Sequence, residues 1–431
     1  TGALVVRATK VGADTVLARV VEMVASAQRS KAPMQRLADR VAGVFVLTVI
    51  GIAIVTFVVW GLVGPQPSWV YALVNAVSVL IIACPCALGL ATPMSVMVGS
   101  GLGARHGVLF RDAAAMEKLR EVDTLVVDKT GTLTIGRPSV SEIVPADGWA
   151  APDVLQLAAS LNRSSEHPLA KAMQRAAEAD GVVLSEPEDF AAEPGFGVRG
   201  RVDGRNVVVG NAELMAANGI QVRPADAEQT LIHVAADGRL IGTIALRDEI
   251  KPSTPDAVRA LHHDHLAVVM ATGDAQGPAA GVASALGIDA FHAGVRPDDK
   301  LTIVEDLQRD GHMVAMAGDG INDAPALAQA DIGIAMGTGS DIAIDSAEIT
   351  LVKGDLRGIT AARGVSRATV RNMKQNLGFA FLYNTLGIPV AAGVLYPFTG
   401  LLLSPIIAAA AMSLSSVSVI VNALRLRNAR V

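Results

Sequence analysis

The sequence predicts a multi-domain membrane protein in which α-helical transmembrane hairpins flank an α/β domain, and the α/β domain carries an inserted α+β domain. Three observations predict this class. Hydrophobic residues make up 51% of the 431 residues and charged residues only 18%, with a mean hydropathy of +0.43. Residues 41–104 and 375–424 contain no Asp, Glu, Lys or Arg. Between them, short apolar runs repeatedly end in polar clusters, which is typical of an open parallel sheet.

Each uncharged stretch is long enough for two membrane-spanning helices, since one span needs about 20 apolar residues. The first stretch predicts helices at about 41–63 and 69–101, and the second predicts helices at about 375–394 and 401–424. Buried helices of a soluble protein are the alternative, and two uncharged runs of this length argue against it. The protein is therefore predicted to be multi-pass.

Positive charges flank both hairpins on the same side, whereas the hairpin tips are uncharged. The positive-inside rule then places both termini and residues 105–373 in the cytoplasm. The flanking cations are Lys31, Arg36, Arg40, Arg105, Arg111, Arg363, Arg367, Arg371, Lys374, Arg425, Arg427 and Arg430.

Three apolar runs of the central segment each lead into a polar cluster. The clusters begin at Asp128, Thr272 and Gly318. Ligands of an open parallel sheet bind outside the carboxyl ends of the strands, so these three clusters are expected to form one site.

Residues 136–246 have a different sequence pattern, which predicts helices followed by β-hairpins. Asp203-Gly204 and Asp237-Gly238 each lie between apolar runs, which is the pattern of a two-residue hairpin turn. An α+β domain is therefore expected inside the α/β domain.

The residues from Asp128 onwards are suited to phosphoryl transfer. A strand-end carboxylate can attack a γ-phosphoryl group when cations and preorganised donors neutralise the phosphoryl oxygens. Thr130 stands where a second acid could activate water, so an acyl phosphate should persist. Candidate partners for this chemistry are Thr272 as a donor, Lys300 as the cation, Asp319 and Asp323 as Mg²⁺ ligands, and Asn322 as a neutral polar group.

Asp-Lys-Thr-Gly-Thr-Leu-Thr at 128–134, Thr-Gly-Asp at 272–274 and Gly-Asp-Gly-Ile-Asn-Asp at 318–323 resemble, in this order, the P-type ATPases. The resemblance implies a haloacid-dehalogenase-like phosphorylation domain in which ATP phosphorylates Asp128. The implied catalytic residues are Asp128, Lys129, Thr130, Thr272, Gly273, Asp274 and Lys300. The implied Mg²⁺ region comprises Asp128, Thr130, Asp319, Asn322 and Asp323.

Two motifs of the inserted domain, Ser165-Glu166-His167-Pro168-Leu169 and the glycine motif that begins at Gly195, resemble the ATP-site motifs of the heavy-metal branch. A Rossmann interpretation of the glycine motif fails, because that fold needs a preceding strand and a following helix. His167 alone would be interpreted as a helix cap. By resemblance, the adenosine is surrounded by Glu166, His167, Gly195, Gly197 and Asn211.

Cys84-Pro85-Cys86 lies in the middle of the second predicted span, where proline interrupts the helix. Thiolates suit Cu(I) or Ag(I), whereas Zn²⁺ usually recruits a carboxylate or imidazole, and none occurs in the four predicted spans. A redox pair, or two cysteines acting as small apolar residues, are the alternatives. Polar groups at this depth favour a functional site.

The later spans carry residues that resemble the membrane signatures of the copper(I)-exporting subgroup. Singly, Tyr383, Asn384 and Ser416 could equally serve helix packing. With the cysteines, the resemblance implies a transported-Cu⁺ site formed by Cys84, Cys86, Tyr383, Asn384, Met412 and Ser416.

The resemblance as a whole implies ATP-driven export of Cu(I) across the cell membrane, with Mg²⁺ as cofactor and copper delivered by a cytosolic chaperone. Membrane lipid is the expected surrounding. The net charge of −5 disfavours nucleic acid as a partner. Transport of Ag(I) or Zn²⁺ is an alternative, and so is a non-catalytic nucleotide-binding membrane fragment.

The chain opens Thr1-Gly2-Ala3 without an initiator methionine, and we expect a C-terminal part that lacks N-terminal spans and most of an actuator domain. Such a chain is expected to bind ATP without completing a pump cycle. The expected segments are the end of the actuator domain (1–20), a linker helix with two spans (21–104), the phosphorylation domain (105–135 and 247–373), the nucleotide-binding domain (136–246), two spans (374–424) and a cytoplasmic tail (425–431).

Overall fold

The structure is a computed structural model that describes residues 25, 27, 32–165, 167–193, 195–222 and 229–429. The expected actuator edge at 1–20 and the cations Lys31 and Arg430 lie outside these residues. The described chain forms two compact units. One contains the described residues up to 122 together with 347–353 and 358 onwards, and the other contains 123–346 and 354–357.

The first unit begins with apolar helices, and its N-terminal part ends with a short strand, a short helix and a 3₁₀ turn. The elements are α1 (Pro33–Val63), α2 (Ser68–Ile82), α3 (Cys86–Arg105), β1 (Val108–Phe110), α4 (Ala113–Lys118) and a 3₁₀ turn (Leu119–Glu121).

The second predicted span, drawn as one helix at 69–101, is two helices. The chain breaks between Ile82 and Cys86, around Pro85, whose ring removes a backbone donor. The predicted interruption at the cysteine motif is thus confirmed.

The second unit opens with β2 (Thr124–Asp128), all of whose residues are buried. The chain then leaves for an antiparallel domain made of β3 (Ser139–Pro145), α5 (Ala151–Leu161), α6 (Pro168–Ala179), β4 (Glu188–Glu193), β5 (Gly197–Val202), β6 (Arg205–Gly210), α7 (Ala212–Ala217), β7 (Thr230–Ala236) and β8 (Arg239–Arg247).

The six strands of this domain have the order β3-β8-β7-β6-β5-β4. Asp203 and Asp237 adopt positive φ angles of 50° and 47°, each followed by a glycine with positive φ, which confirms the two predicted hairpin turns. The apolar faces of α5 and α6 supply Leu155, Leu161 and Met173 to the buried core of the sheet.

The chain then returns to complete a parallel sheet. The elements are α8 (Thr254–His263), β9 (Ala267–Ala271), α9 (Gln276–Leu286), β10 (Ala290–His292), α10 (Pro297–Arg309), β11 (Val314–Gly318), α11 (Ala324–Gln329), β12 (Ile332–Met336) and α12 (Asp341–Ser346). Within this unit the parallel strands run β12-β11-β2-β9-β10. Strands β11, β2 and β9 are neighbours, so the predicted convergence of three strand ends is confirmed.

The first unit is completed by β13 (Ile349–Leu351), which pairs antiparallel with β1, and by α13 (Arg357–Ala391), α14 (Tyr396–Thr399) and α15 (Pro405–Arg425). Among the described residues, three helical stretches are long and apolar enough to cross a membrane: Pro33–Val63, Ser68–Arg105 and Pro405–Asn428.

The predicted third span at 375–394 stays a prediction. It lies largely within the 35-residue helix α13, which is not among the three stretches. The physical reason is its composition, because Gln375, Asn376 and Asn384 lower the apolar character of this part of the helix.

Candidate functional site

A cluster of buried charges lies at the carboxyl ends of the central parallel strands. The Nζ atom of Lys300 lies 2.6 Å from Oδ1 of Asp128 and 2.7 Å from Oδ1 of Asp323. Asp319 completes the cluster, since carboxylate oxygens of Asp128, Asp319 and Asp323 all lie within 4.8 Å of one another. Lys300 therefore pairs with two of the three carboxyl groups, and the charge of Lys251 acts on the third, Asp319.

The electrostatics of the cluster follow first from burial and then from the neighbouring charges. Burial, reinforced by the charge of Asp323, raises the pKa of Asp128 to about 7. Burial and Asp323 also raise the pKa of Asp319. Burial acts to lower the pKa of Lys300, but Asp128 and Asp323 outweigh it and the net shift is upward. Hard oxygen ligands with excess negative charge fit a divalent cation such as Mg²⁺.

The loop after Asp128 depends on one glycine. Gly131 has a φ of +76°, and a Cβ atom there would lie 1.8 Å from Oδ2 of Asp319. Only a residue without a side chain allows this approach. Thr130 precedes it with an extended backbone and an exposed side chain, whereas the neighbouring Lys129 is buried and forms an ion pair with Asp274.

The Thr-Gly-Asp cluster begins at the sheet edge. The backbone N–H of Thr272 donates to the carbonyl of His292 at 2.9 Å, and the predicted role of Thr272 in phosphate binding stays a prediction. Its hydroxyl accepts a hydrogen bond of 3.2 Å from the backbone N–H of Asp274. Gly273 lies between them. Asn322 is exposed, and its predicted place in the Mg²⁺ region stays a prediction.

Two residues that organise the phosphorylation loop were missed from the sequence. Asp248 accepts hydrogen bonds from the hydroxyl of Thr134 at 2.5 Å and from the N–H groups of Gly136 and Arg137. Lys251 donates to the backbone carbonyl of Gly131, and burial lowers its pKa. The available signal was their position directly after β8, where the chain re-enters the parallel-sheet domain.

A cavity of about 820 Å³ adjoins the loop within the second unit. It is lined by residues of the parallel-sheet domain and of the antiparallel domain. Five of the lining residues were predicted site residues: Lys129, Thr130, His167, Asn211 and Asp274. Sequence reasoning missed Gln229 and the buried His233, which line it from the antiparallel sheet. Glu166 lies outside the described residues.

The predicted adenosine-site residues have local structural roles. His167 caps α6, its Nδ1 atom accepting from the N–H of Leu169 at 3.3 Å. Asn211 caps α7 and donates to the carbonyl of Gly195 at 3.3 Å. Gly195 and Gly197 are not among the cavity-lining residues, and at Gly197 a Cβ atom would lie 2.3 Å from a strand carbonyl.

A second cavity, of about 480 Å³, lies in the first unit between apolar helices. Tyr383, Asn384 and Met412 line it, as does Ser415, whose buried hydroxyl has no hydrogen-bond partner. Ser416 bonds instead to the carbonyl of Met412 within its own helix. Three of the six residues predicted for the copper site thus share one cavity.

The cysteines are placed apart from that lining. Cys84 is half-buried, Cys86 is exposed, and a disulfide joins their sulfur atoms. A disulfide offers no thiolate, so soft-metal binding requires the reduced pair. Their role as copper ligands stays a prediction.

The chain is similar to family models and to curated proteins over most of its length. Residues 122–331 and 301–362 match models of haloacid dehalogenase-like hydrolases. The chain is 55% identical to the silver exporting P-type ATPase of Salmonella typhimurium and to the copper-exporting P-type ATPase of Legionella pneumophila subsp. pneumophila. The two alignments include 100% and 99% of this chain. It spans only 53% and 59% of those relatives' lengths.

A solved structure is also similar to this chain over most of its length. A zinc-transporting PIB-type ATPase in the E2.Pi state matches 96% of this chain at 32% identity with a TM-score of 0.76, and the match covers 68% of that protein. The match therefore includes both units.

Proposed function

The chain belongs to the PIB-type P-type ATPases, and from this premise we propose that it supplies the catalytic and metal-site part of a Cu(I)-exporting pump. The observation that carries the proposal is the buried cluster in which Lys300 bridges Asp128 and Asp323. An ammonium group at this position reduces the electrostatic repulsion between a carboxylate nucleophile and a polyanionic substrate.

The proposed reaction is phosphoryl transfer from ATP to Asp128. A carboxylate oxygen of Asp128 forms a bond to the γ-phosphorus, the bond from that phosphorus to the bridging oxygen breaks, and ADP leaves with the bonding electron pair. The product is an acyl phosphate. Lys300 stabilises the ionised nucleophile and the charge that develops on the phosphoryl oxygens.

Asp128, Thr130, Asp319 and Asp323, with Asn322 nearby in sequence, would hold Mg²⁺. The fit rests on three carboxyl groups that two ammonium groups, those of Lys300 and Lys251, leave with excess negative charge. When bound, Mg²⁺ supplies positive charge that offsets carboxylate repulsion and phosphoryl charge. Gly131 keeps Asp319 close to the loop.

ATP would occupy the 820 Å³ cavity. Its lining places His167 and Asn211 opposite Lys129 and Asp274, so a nucleotide could contact both sheets' domains. This supports residues 136–246 as the nucleotide-binding domain, and 105–135 with 247–373 as the phosphorylation domain.

The proposed cargo is Cu(I), bound by the reduced Cys84 and Cys86 and admitted past the cavity of Tyr383, Asn384 and Met412. Ag(I) is the second candidate, since one relative at 55% identity is named a silver exporter. Zn²⁺, which the solved relative is named for, fits less well because the uncharged segments contain no carboxylate or imidazole.

We place the protein in the cell membrane as a multi-pass protein, with both termini and residues 105–373 in the cytoplasm. The clustering of Lys and Arg beside the apolar helices supports this orientation. A cytosolic copper chaperone is the proposed donor, and lipid surrounds the exposed apolar faces of α1, α2 and α15.

The test uses the full-length protein in sealed vesicles with γ-labelled ATP. We expect hydroxylamine-labile label that Cu(I) increases, that Zn²⁺ does not increase, and that Asp128→Asn abolishes. Asp306→Asn, an exposed carboxyl group paired with Arg309 on its own helix, is the matched control. Nucleotide binding without a covalent intermediate would instead identify a non-catalytic nucleotide sensor.

A further inference from the structure

The turn that joins α13 to α15 adjoins the second cavity at both of its ends. We define residues 391–403, which include α14, as the tip segment. Val390 lies directly before this segment and Leu403 is its last residue, and both line the cavity. Ile82, two residues before Cys84, lines the same cavity. The tip segment carries no charged residue, as expected for the non-cytoplasmic end of a hairpin, so cargo that leaves the cavity on that side passes it.

A tryptophan of α1 holds the first end of the tip segment. Nε1 of the buried Trp60 donates to the backbone carbonyl of Ala392 at 2.9 Å. The ring of Trp60 also packs edge-on against Tyr396, with 5.1 Å between the ring centroids. Gly393, between these two contacts, has a φ of +84°, and a Cβ atom there would lie 2.5 Å from Cζ2 of Trp60. The chain therefore has a glycine where the indole ring needs the space.

A serine of α2 holds the second end. The hydroxyl of Ser78, which is fully buried, donates to the backbone carbonyl of Leu403 at 3.2 Å. Leu403 precedes Ser404, the residue that caps α15, so the bond fixes the point where the chain re-enters a helix. Such bonds to irregular backbone count most beside lipid, because lipid offers no replacement partner. Side chains from two other helices thus hold both ends of the tip segment.

Between its two ends the tip segment is packed loosely against the rest of the chain. Phe398 is 85% exposed and Leu401 is 74% exposed. Val394 and Leu395 are exposed as well. A segment with few buried apolar contacts opens at low free-energy cost once its hydrogen bonds are broken. The two hydrogen bonds at its ends therefore account for much of what keeps it in place.

We propose that the tip segment is the exit gate of the second cavity, and that Trp60 and Ser78 are the positioning residues that hold this gate closed. The ligand that it retains is the soft monovalent cation of the proposed transport. The cation leaves on the non-cytoplasmic side when the two hydrogen bonds break. The inference deepens the proposed function and rests on it, because it treats the cavity as part of the cargo's path.

The experiment uses the full-length protein, with its cysteines reduced, in sealed right-side-out vesicles, and it has two readouts. The first is the rate at which a small, membrane-impermeant cationic methanethiosulfonate outside the vesicles modifies Cys84 and Cys86. A double variant, Cys84→Ser with Cys86→Ser, gives the background from other thiols. The second readout is the acyl phosphate formed from γ-labelled ATP at saturating Cu(I), after the vesicles are made permeable.

We expect Trp60→Phe, which keeps an aromatic ring but loses the N–H donor, to raise the modification rate about tenfold. Ser78→Ala should raise it about threefold, and the acyl phosphate should change less than about twofold in both variants. The control is Trp69→Phe, since Trp69 is an exposed tryptophan at the start of α2, and it should leave both readouts unchanged. If Trp60→Phe does not reach the membrane, Ser78→Ala decides by the same criterion.

An unchanged modification rate in the Trp60 and Ser78 variants would overturn the gate alone. So would an increase that persists when both cysteines are replaced, because the opening would then not lead to the cysteine motif. A parallel loss of acyl phosphate, or an equal increase in Trp69→Phe, would also overturn the gate, since either result indicates general loosening of the helices. A wild type that forms no acyl phosphate would overturn the proposed function, and the gate with it.

Discussion

The acidic cluster around Asp128 and the cavity around Met412 differ in how far each is assembled. The first has ion pairs of 2.6 and 2.7 Å and buried side chains, all within one unit. The second gathers three of six predicted residues, and the two sulfur atoms lie outside its lining in a disulfide. Charge attraction assembles the first site without ligand, whereas soft ligands have no such attraction for one another.

The difference teaches that a buried charged site is specified by its own chain, because an isolated buried carboxylate or ammonium is costly. Thioether, phenol and amide groups carry no comparable penalty when they are apart. We expect the first site to fail abruptly when its ammonium group is removed and the second to weaken in steps.

The largest expected effect comes from Lys300→Met. Loss of the ammonium leaves the carboxyl groups of Asp128 and Asp323 buried without their cation. We expect acyl-phosphate formation to fall at least about 10³-fold and the unfolding free energy to fall by about 3 kcal/mol. Labelling with γ-labelled ATP and chemical denaturation measure the two. Lys353→Met, at an exposed position, should leave both unchanged, and a Lys300 variant that phosphorylates normally would contradict the electrostatic account.

Cys86→Ser sharpens the comparison from the membrane side. Changes in groups around metal ligands alone cost 10–100-fold in affinity, so loss of a thiolate should weaken Cu(I) binding at least about 100-fold. Under reducing conditions, the Cu(I) concentration that half-stimulates phosphorylation should rise to that extent. Phosphorylation from inorganic phosphate should not change. Met97→Leu, an exposed thioether elsewhere in the same helix, is the control. Retention of the copper response would remove the thiolate from the site.

Gly131→Ala tests sterics in place of charge. The added Cβ atom would meet Asp319 and the positive φ would be strained. We expect about a tenfold higher Mg²⁺ requirement for phosphorylation with little change in nucleotide binding. Gly148→Ala has a similar φ of +84° but open space around it, so it isolates the backbone strain from the collision. Equal effects of both substitutions would exclude displacement of Asp319 as the cause.

The smallest expected effect is a pH dependence of stability in EDTA. Folding raises the pKa of Asp128 from 3.8 to about 7, so the folded state binds more protons than the unfolded state over that interval. Stability contributed by the protonated carboxyl is present below pH 3.8 and is lost as the pH rises towards 7. Relative to the wild type, Asp128→Asn should therefore become more stable as the pH rises from 4 to 8. Parallel thermal melts that keep a constant difference across this range would contradict the shift.

The sequence predicted most where chemistry and local structure coincide. Asp128, Asp319 and Asp323 follow apolar strands, and a parallel sheet must bring such strand ends together. Asp248 was not predictable, because its partners Thr134 and Gly136 lie more than a hundred positions earlier. Its role depends on where the chain returns from the antiparallel domain to the parallel sheet.

The membrane segments show the converse limit. Absence of charge predicted apolar helices correctly at α1 and α15, but it treats an amide and a methyl group alike. Asn376 and Asn422 form a hydrogen bond of 2.9 Å inside the helix packing, so α13 is polar at places where a lipid-facing helix is apolar. Charge counting does not register such groups.

The antiparallel domain has its two ends side by side. Ser139 and Arg247 are paired across the neighbouring strands β3 and β8. Just outside this pair, the carboxylate of Asp248, which follows β8, accepts a hydrogen bond from the N–H of Gly136, which precedes β3. A domain whose termini adjoin is a cassette: it can be excised and expressed alone, or exchanged for that of a relative, with a two-point splice that leaves the Asp128 loop on its own scaffold.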